Sequence, residues 1–239
     1  MLGPFQVLKP PLTLRPKQPP RTGLAAAAPV AWWKFDEESG GTAANAAGTP
    51  LAGRLQGEPR WAPDQGRHQG SIELDGVNNW IECADSTDLG IRDGLSVSVW
   101  IKPRGAPPGG DTLLAKGEAW GLQRLGGTGE LEFTLTGPLP GDPARRNAPR
   151  VVCKRTLADD RWHHVAAVYD GKRMALYVDG AEEDSMKASG PIALNNLPLT
   201  LGDNAANRGR RWNGWLDDAR LYDRGLSIEE IKTLHQGGL

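Results

Sequence analysis

The sequence predicts an all-β protein, and three observations predict it. Apolar and polar residues alternate with period two along much of the chain, Asp-Gly dipeptides punctuate that alternation, and no regular succession of strand and helix occurs. The 31 glycines and 19 prolines among 239 residues agree, because both weaken helix interiors. Runs bounded by turn residues number about ten to thirteen, spaced ~8–12 residues apart, which is the pattern of a β-sandwich or barrel.

Residues 1–29 stand apart as a Pro-rich basic tail or linker. Six of the first 20 residues are proline, and Lys9, Arg15, Lys17 and Arg21 occur there without an acid. Such a segment favours extended polyproline conformations and is expected to be disordered. From residue 30 a single domain is expected to run to residue 239. Ser71–Asp75 places Ile72 and Leu74 on one face; Leu95–Lys102 opposes Leu95, Val97, Val99 and Ile101 to Ser96, Ser98, Trp100 and Lys102. Glu130–Leu135 alternates strictly, with Leu131, Phe133 and Leu135 inward. Trp162–Tyr169 is apolar on both sides, as suits a strand covered on both faces. Asp170-Gly171 joins it to Met174–Val178 in a predicted hairpin, Gly supplying the positive φ of a tight turn. One helix is expected, at the end: Ser227-Ile228-Glu229-Glu230 has the form of a capping box, Ile228, Ile231 and Leu234 share a face, and Gly237-Gly238 stops it.

Composition narrows the function. Lys and Arg total 28 against 29 Asp and Glu, a net charge of −1, where a nucleic-acid binder carries a basic excess. The longest apolar run, Leu24 to Trp33, is broken by Pro29 and falls short of the ~20 residues a membrane span requires. No recognisable signal peptide is present in the chain as given, although Ala25–Ala28 resembles the small-residue end of one. The two cysteines, Cys83 and Cys153, form no Cys-x-x-Cys, and the four histidines show no metalloprotease spacing. His163 and His164 are neighbours on a strand and therefore point to opposite faces, which argues for structural roles.

Read in order, the motifs resemble a known family. They are Trp33-Lys34-Phe35-Asp36-Glu37-Glu38-Ser39-Gly40, Ile72-Glu73-Leu74-Asp75-Gly76, Leu95 through Pro103, and Leu114-Ala115-Lys116-Gly117. Then follow Arg161-Trp162-His163-His164 through Gly171, Leu176-Tyr177-Val178-Asp179-Gly180, Gly214 through Arg224, and Leu226-Ser227-Ile228-Glu229-Glu230-Ile231. Residues 30–236 resemble the LamG-like (laminin G-like) jelly-roll domains of the concanavalin A-like lectin/glucanase superfamily. The resemblance implies two antiparallel sheets packed face to face, one concave, a secreted or cell-envelope setting, and in many relatives a structural calcium.

Four expectations about sites follow. Jelly-roll topology tends to bring the segments of Asp36 and Asp217 together, so the pair is expected to share a structural calcium with loop carbonyls; the alternative is a turn acceptor at Asp36 and an Asp217–Arg220 ion pair. Arg208, Arg210 and Arg211 beside Trp212 form a loop suited to an anionic polysaccharide, the guanidinium forks taking acid groups and an indole stacking on a sugar; Arg145, Arg146, Arg150, Lys154 and Arg155 form a second basic cluster. Both clusters also read as solvated surface charge. Trp120 and Trp212 are the tryptophans expected nearest the surface, while Trp33, Trp100, Trp162 and Trp215 are expected in the core. Cys83 and Cys153 could pair, as cysteines do in extracellular relatives, or remain two free thiols. Glu73-Leu74-Asp75 and Glu130-Leu131-Glu132 do not complete the carboxylate pattern of glucanases on this fold, so no enzyme is expected. The expected role is a non-catalytic module that binds a glycan, with adhesion to another protein as the alternative.

Overall fold

A computed structural model describes residues 28–137 and 149–237; the tail expected at 1–29 lies almost wholly outside the described residues, as do Arg145 and Arg146. The strands are β1 (Ala31–Trp33), β2 (Thr42–Ala43), β3 (Gly53–Gln56), β4 (Arg60–Ala62), β5 (Ser71–Asp75), β6 (Trp80–Cys83), β7 (Leu95–Pro103) and β8 (Asp111–Ala115). They continue as β9 (Trp120–Arg124), β10 (Glu130–Leu135), β11 (Arg150–Thr156), β12 (His163–Tyr169), β13 (Arg173–Val178), β14 (Ala181–Lys187), β15 (Leu199–Leu201) and β16 (Asn213–Tyr222). Among the described residues a single α-helix, α1 (Ile228–His235), follows. The strand number exceeds the sequence expectation because β1, β2, β4 and β15 have two or three residues, too few to show a period.

Two antiparallel sheets result. The first has the order β14-β13-β12-β7-β16-β5-β4, with β1 pairing the far half of β16; the second has the order β11-β10-β9-β8-β15-β6-β3-β2. Their inner faces meet in one core that includes Ile72, Leu74, Val97, Val99, Ile101, Leu122, Phe133, Val165, Leu176, Leu201 and Leu216. The alternating positions named from the sequence are the ones buried there, as a half-covered pleat requires. In β12 every residue is buried, because α1 covers the outer face of the first sheet. Ala166, Val168, Ala175, Tyr177 and Tyr222 pack there under Leu226, Ile231 and Leu234. The capping box forms as its residues imply: Ser227 Oγ accepts from Glu230 N–H, and a Glu230 carboxylate oxygen accepts from Ser227 N–H.

One end of the sandwich is closed by a buried ion pair. The Arg124 guanidinium donates to both carboxylate oxygens of Asp111 and to the carbonyls of Gly105 and Leu157, with Trp212 stacked against it. Both charged side chains are fully buried, so the carbonyls satisfy donors that the carboxylate alone would leave bare.

Cys83 and Cys153 do not pair. Both thiols are free and buried, on β6 and β11, which stand five strand positions apart in the second sheet. At ~4.8 Å per strand that separation is roughly 24 Å, against the ~7 Å a disulfide can span. Burial pushes the Cys83 thiol well up and the Cys153 thiol up to about 11, so neither is poised as a thiolate.

Candidate functional site

The cleft that holds Asp36 and Asp217 is built by irregular backbone. In a regular strand Asp217 and Asp218 would face opposite sides, but β16 bulges, and its register against β7 shifts between Asp217 and Arg220. Asp218 adopts φ 49°, and both carboxylates border one cavity of about 160 Å³ together with Asp36, Lys34, Trp32, His68 and Arg220. Phe35, just before Asp36, and Gln69, within the 66–70 loop, also lie at positive φ. Two of the six non-glycine residues with positive φ among the described residues, Gln69 and Asp218, thus line this cavity, and a third, Phe35, adjoins its Asp36, a concentration of backbone strain of the kind found at binding sites.

Glycines let the 66–70 loop close over the acids. A Cβ on Gly66 would stand 1.9 Å from the Gly70 carbonyl oxygen and 2.9 Å from Asp217 Oδ2. The loop's amides then hold both carboxylates: His68 N–H donates to Asp217 Oδ2 at 2.7 Å, and Gly70 N–H to Asp36 Oδ1 at 3.0 Å. Asp217 Oδ1 is buried with no hydrogen-bond partner. Burial pushes this carboxyl up to about 8; nearby Asp218 and Asp36 add to the rise, and the loop amides oppose it. Arg220 pairs with Asp218 and not with Asp217, and Trp32 Nε1 donates to Asp218. Asp36 and Asp217 therefore share a cleft. Among the described residues no three His, Cys, Asp or Glu side chains converge as a ready metal cage, so a cation there would draw on carbonyl or solvent oxygens as well.

The arginine loop lies on the outer face of the second sheet. Arg208 Nη2 donates to Glu82 at 2.7 Å, and Arg208 and Arg211 both pair with the buried Asp203. Arg210 Nη1 donates to Gln123 at 3.1 Å, and Gln123 and Arg150 both donate to Glu132. Arg208 and Arg211 stack over the half-buried Trp80, Arg211 at 3.8 Å from the ring centroid. A paired row crosses the face as Arg54–Glu82–Thr200–Ala115–Gly121–Thr134–Arg150. Its side chains are short in the middle and end in arginine at both sides.

Trp120 and Trp212 are not part of this surface. Trp120 is 3% exposed on the inner side of β9, and Trp212 is fully buried against Arg124. The chain turns inward directly after Arg211, where Trp212 N–H bonds the Gly202 carbonyl. Trp80 takes the place expected of them. The alternation Trp80-Ile81-Glu82-Cys83 carries that signal, since Ile81 and Cys83 are fully buried and Trp80 must face out beside Glu82. Trp215, expected in the core, is half-buried on the outer face of the first sheet beneath Lys102 and Arg104.

A family model matches residues 75–232, well over half of the chain. The chain belongs to the concanavalin A-like lectin/glucanases superfamily. Among curated proteins, this superfamily member is 28% identical over 153 residues to the adhesion G-protein coupled receptor V1 of Danio rerio, covering 59% of the chain and 2% of the receptor. Among solved structures, domain 4 of AbnA, a GH43 extracellular arabinanase of Geobacillus stearothermophilus in complex with arabinotriose, superposes with a TM-score of 0.67 at 20% identity, covering 87% of this chain and 98% of that one. The binding domain of Paraclostridial Mosquitocidal Protein 1 superposes at 0.69 and 17% identity, covering 89% and 52%. The binding domain of botulinum neurotoxin DC in complex with SialylT does so at 0.66 and 14%, covering 89% and 51%. The chain thus spans a small fraction of the receptor and about half of each toxin domain. These likenesses show the fold.

Proposed function

We propose that the domain is a non-catalytic, extracellular binding module that takes an anionic glycan on the outer face of the second sheet. The observation that carries this reading is the loop in which the Arg208 and Arg211 guanidinium groups are held in fixed orientations over the half-exposed Trp80 indole, with the intervening Arg210 tied to Gln123. Pre-oriented forks lose little freedom when they meet a carboxylate or sulfate. The carboxylates of this face are engaged by arginine (Glu82 and Asp203 by Arg208, Glu132 by Arg150), an arrangement suited to shaping a surface and ill-suited to proton transfer. Solved neighbours bound to arabinotriose and SialylT support a sugar as the ligand class. A protein partner is the second reading; the neurotoxin binding domain solved with rat synaptotagmin II and the adhesion-receptor match favour it.

Asp36 and Asp217 hold a structural calcium in this proposal. The residues fit such an ion: Asp217 Oδ1 is a buried carboxylate oxygen without a partner, and Asp36 and Asp218 add negative charge beside it. Calcium would supply a positive charge at Asp217 Oδ1, which no side chain of the cleft meets, and keep Asp217 ionised.

A glycan array probed with and without calcium tests the function. Uronic-acid or sulfated oligosaccharides are expected to bind, and Trp80→Ala and Arg210→Ala are each expected to weaken binding about tenfold. Retention of full affinity in both variants would move the site elsewhere; binding to no glycan, with capture of a purified protein ligand, would establish the second reading.

A further inference from the structure

Among the described residues eleven buried side-chain polar atoms lack a hydrogen-bond partner, and four of them belong to one cluster: His68 Nε2, Trp100 Nε1, His164 Nδ1 and His235 Nδ1. The cluster lies where α1 ends on the first sheet. The Trp100 ring is 5.3 Å from that of His164 and 5.5 Å from that of His235, and the two imidazoles are 5.8 Å apart. We propose that His164 on β12 and His235 on α1 form an acid-sensitive latch, whose protonation undocks α1 and uncovers the apolar outer face of the first sheet.

The surroundings of the pair give it that sense. From β7, Ser98 Oγ lies 2.8 Å from His164 Nε2, and the Trp100 ring packs against both imidazoles. From the β13–β14 turn, Asp179 Oδ1 accepts from His164 N–H, but its carboxylate is already engaged by His163 and Arg155. From β16 comes the positive charge of Arg220, from the 66–70 loop His68 and an Arg67 guanidinium over Trp100, and on α1 itself Lys232. Gly180 packs its backbone on His235, where a Cβ would stand 3.3 Å from the ring. No unengaged carboxylate among these groups answers a new positive charge, and two charged imidazoles this close repel. Burial first, then His235, holds His164 down to about 3, far below the ordinary imidazole value.

The sign follows. The docked state keeps His164 neutral and the undocked state does not. Docking is therefore fully favoured above about pH 6.5 and is lost progressively as pH falls toward 3. Each pH unit in that window favours undocking by up to about tenfold. What α1 uncovers is Ala166, Val168, Ala175, Tyr177 and Tyr222, next to an open cleft of about 640 Å³ that Ile228 and Lys232 already border.

Hydrogen exchange of the full chain between pH 7 and 4.5, expressed as protection relative to the free peptide, tests the latch. Amides of residues 230–236 are expected to lose protection about tenfold per pH unit below pH 6 while those of 95–103 keep theirs. His235→Gln, on the covering helix, is expected to keep at least tenfold more protection of α1 than the unsubstituted protein at pH 5, and His164→Gln to flatten the dependence. If His164→Gln does not fold, His235→Gln decides. A flat profile, loss of protection in step with 95–103, or an unchanged profile in His235→Gln would each overturn the proposal, and none of these outcomes bears on glycan binding.

Discussion

Asp217 is the residue at which charge and burial conflict most directly. Its carboxyl lies above its unfolded value of about 3.8 because burial strips it of water and no partner meets Oδ1. For an acid shifted upward, the stabilisation is complete below about pH 4 and is lost as pH rises toward 8. Without a divalent cation, thermal stability is therefore expected to decline between pH 5 and 8, by an amount on the order of a few kcal/mol at ~1.4 kcal/mol per pH unit crossed. Calcium is expected to reverse that decline and to release a proton at pH 7, measurable by calorimetry in buffers of different ionisation enthalpy. Asp217→Asn is expected to flatten the pH profile and remove the response to calcium. A calcium response that survives this substitution would place the ion elsewhere.

At the scale of single elements, local rules account for what the sequence made legible. β5 and β10 run as their alternation implies, β12 is covered on both faces, and α1 begins at the Ser227 capping box. Ser227→Ala removes one arm of that box and is expected to cost about 1 kcal/mol of helix stability. The other arm stays tied, since Glu230 also pairs with Arg224. The loss should appear as faster exchange in 230–236 with little change in the sandwich, and an equal change in the strands would make α1 part of the global folding unit. The bulge in β16 was not legible. Period two assigns Asp217 and Asp218 to opposite faces, and only pairing with β7 on one side and with β5 and β1 on the other forces the extra residue. Trp212 was misread for a related reason. Its sequence neighbours Arg210 and Arg211 are surface residues, while its own burial depends on Arg124, nearly ninety positions earlier.

At the scale of the whole molecule, the sandwich needs closure at its ends as well as a core between its sheets, and the Asp111–Arg124 pair supplies it at one end. The pair joins β8 to β9, and the Arg124 guanidinium reaches carbonyls in the loops at Gly105 and Leu157, which lie outside the strands. Breaking such a pair leaves a buried charge unanswered, which costs about 3–5 kcal/mol, whereas replacing both partners by apolar groups of similar volume is often nearly neutral. Arg124→Met is therefore expected to destabilise the domain by about that amount in urea unfolding, partly through the packing it withdraws from Trp212. Adding Asp111→Leu should recover part of the loss. The recovery separates the two contributions: electrostatic cost is removed with the second charge, but the hydrogen bonds to Gly105 and Leu157 are not restored. Full additivity of the two substitutions would mean that the pair is not coupled and that the carbonyl contacts alone hold the closed end together.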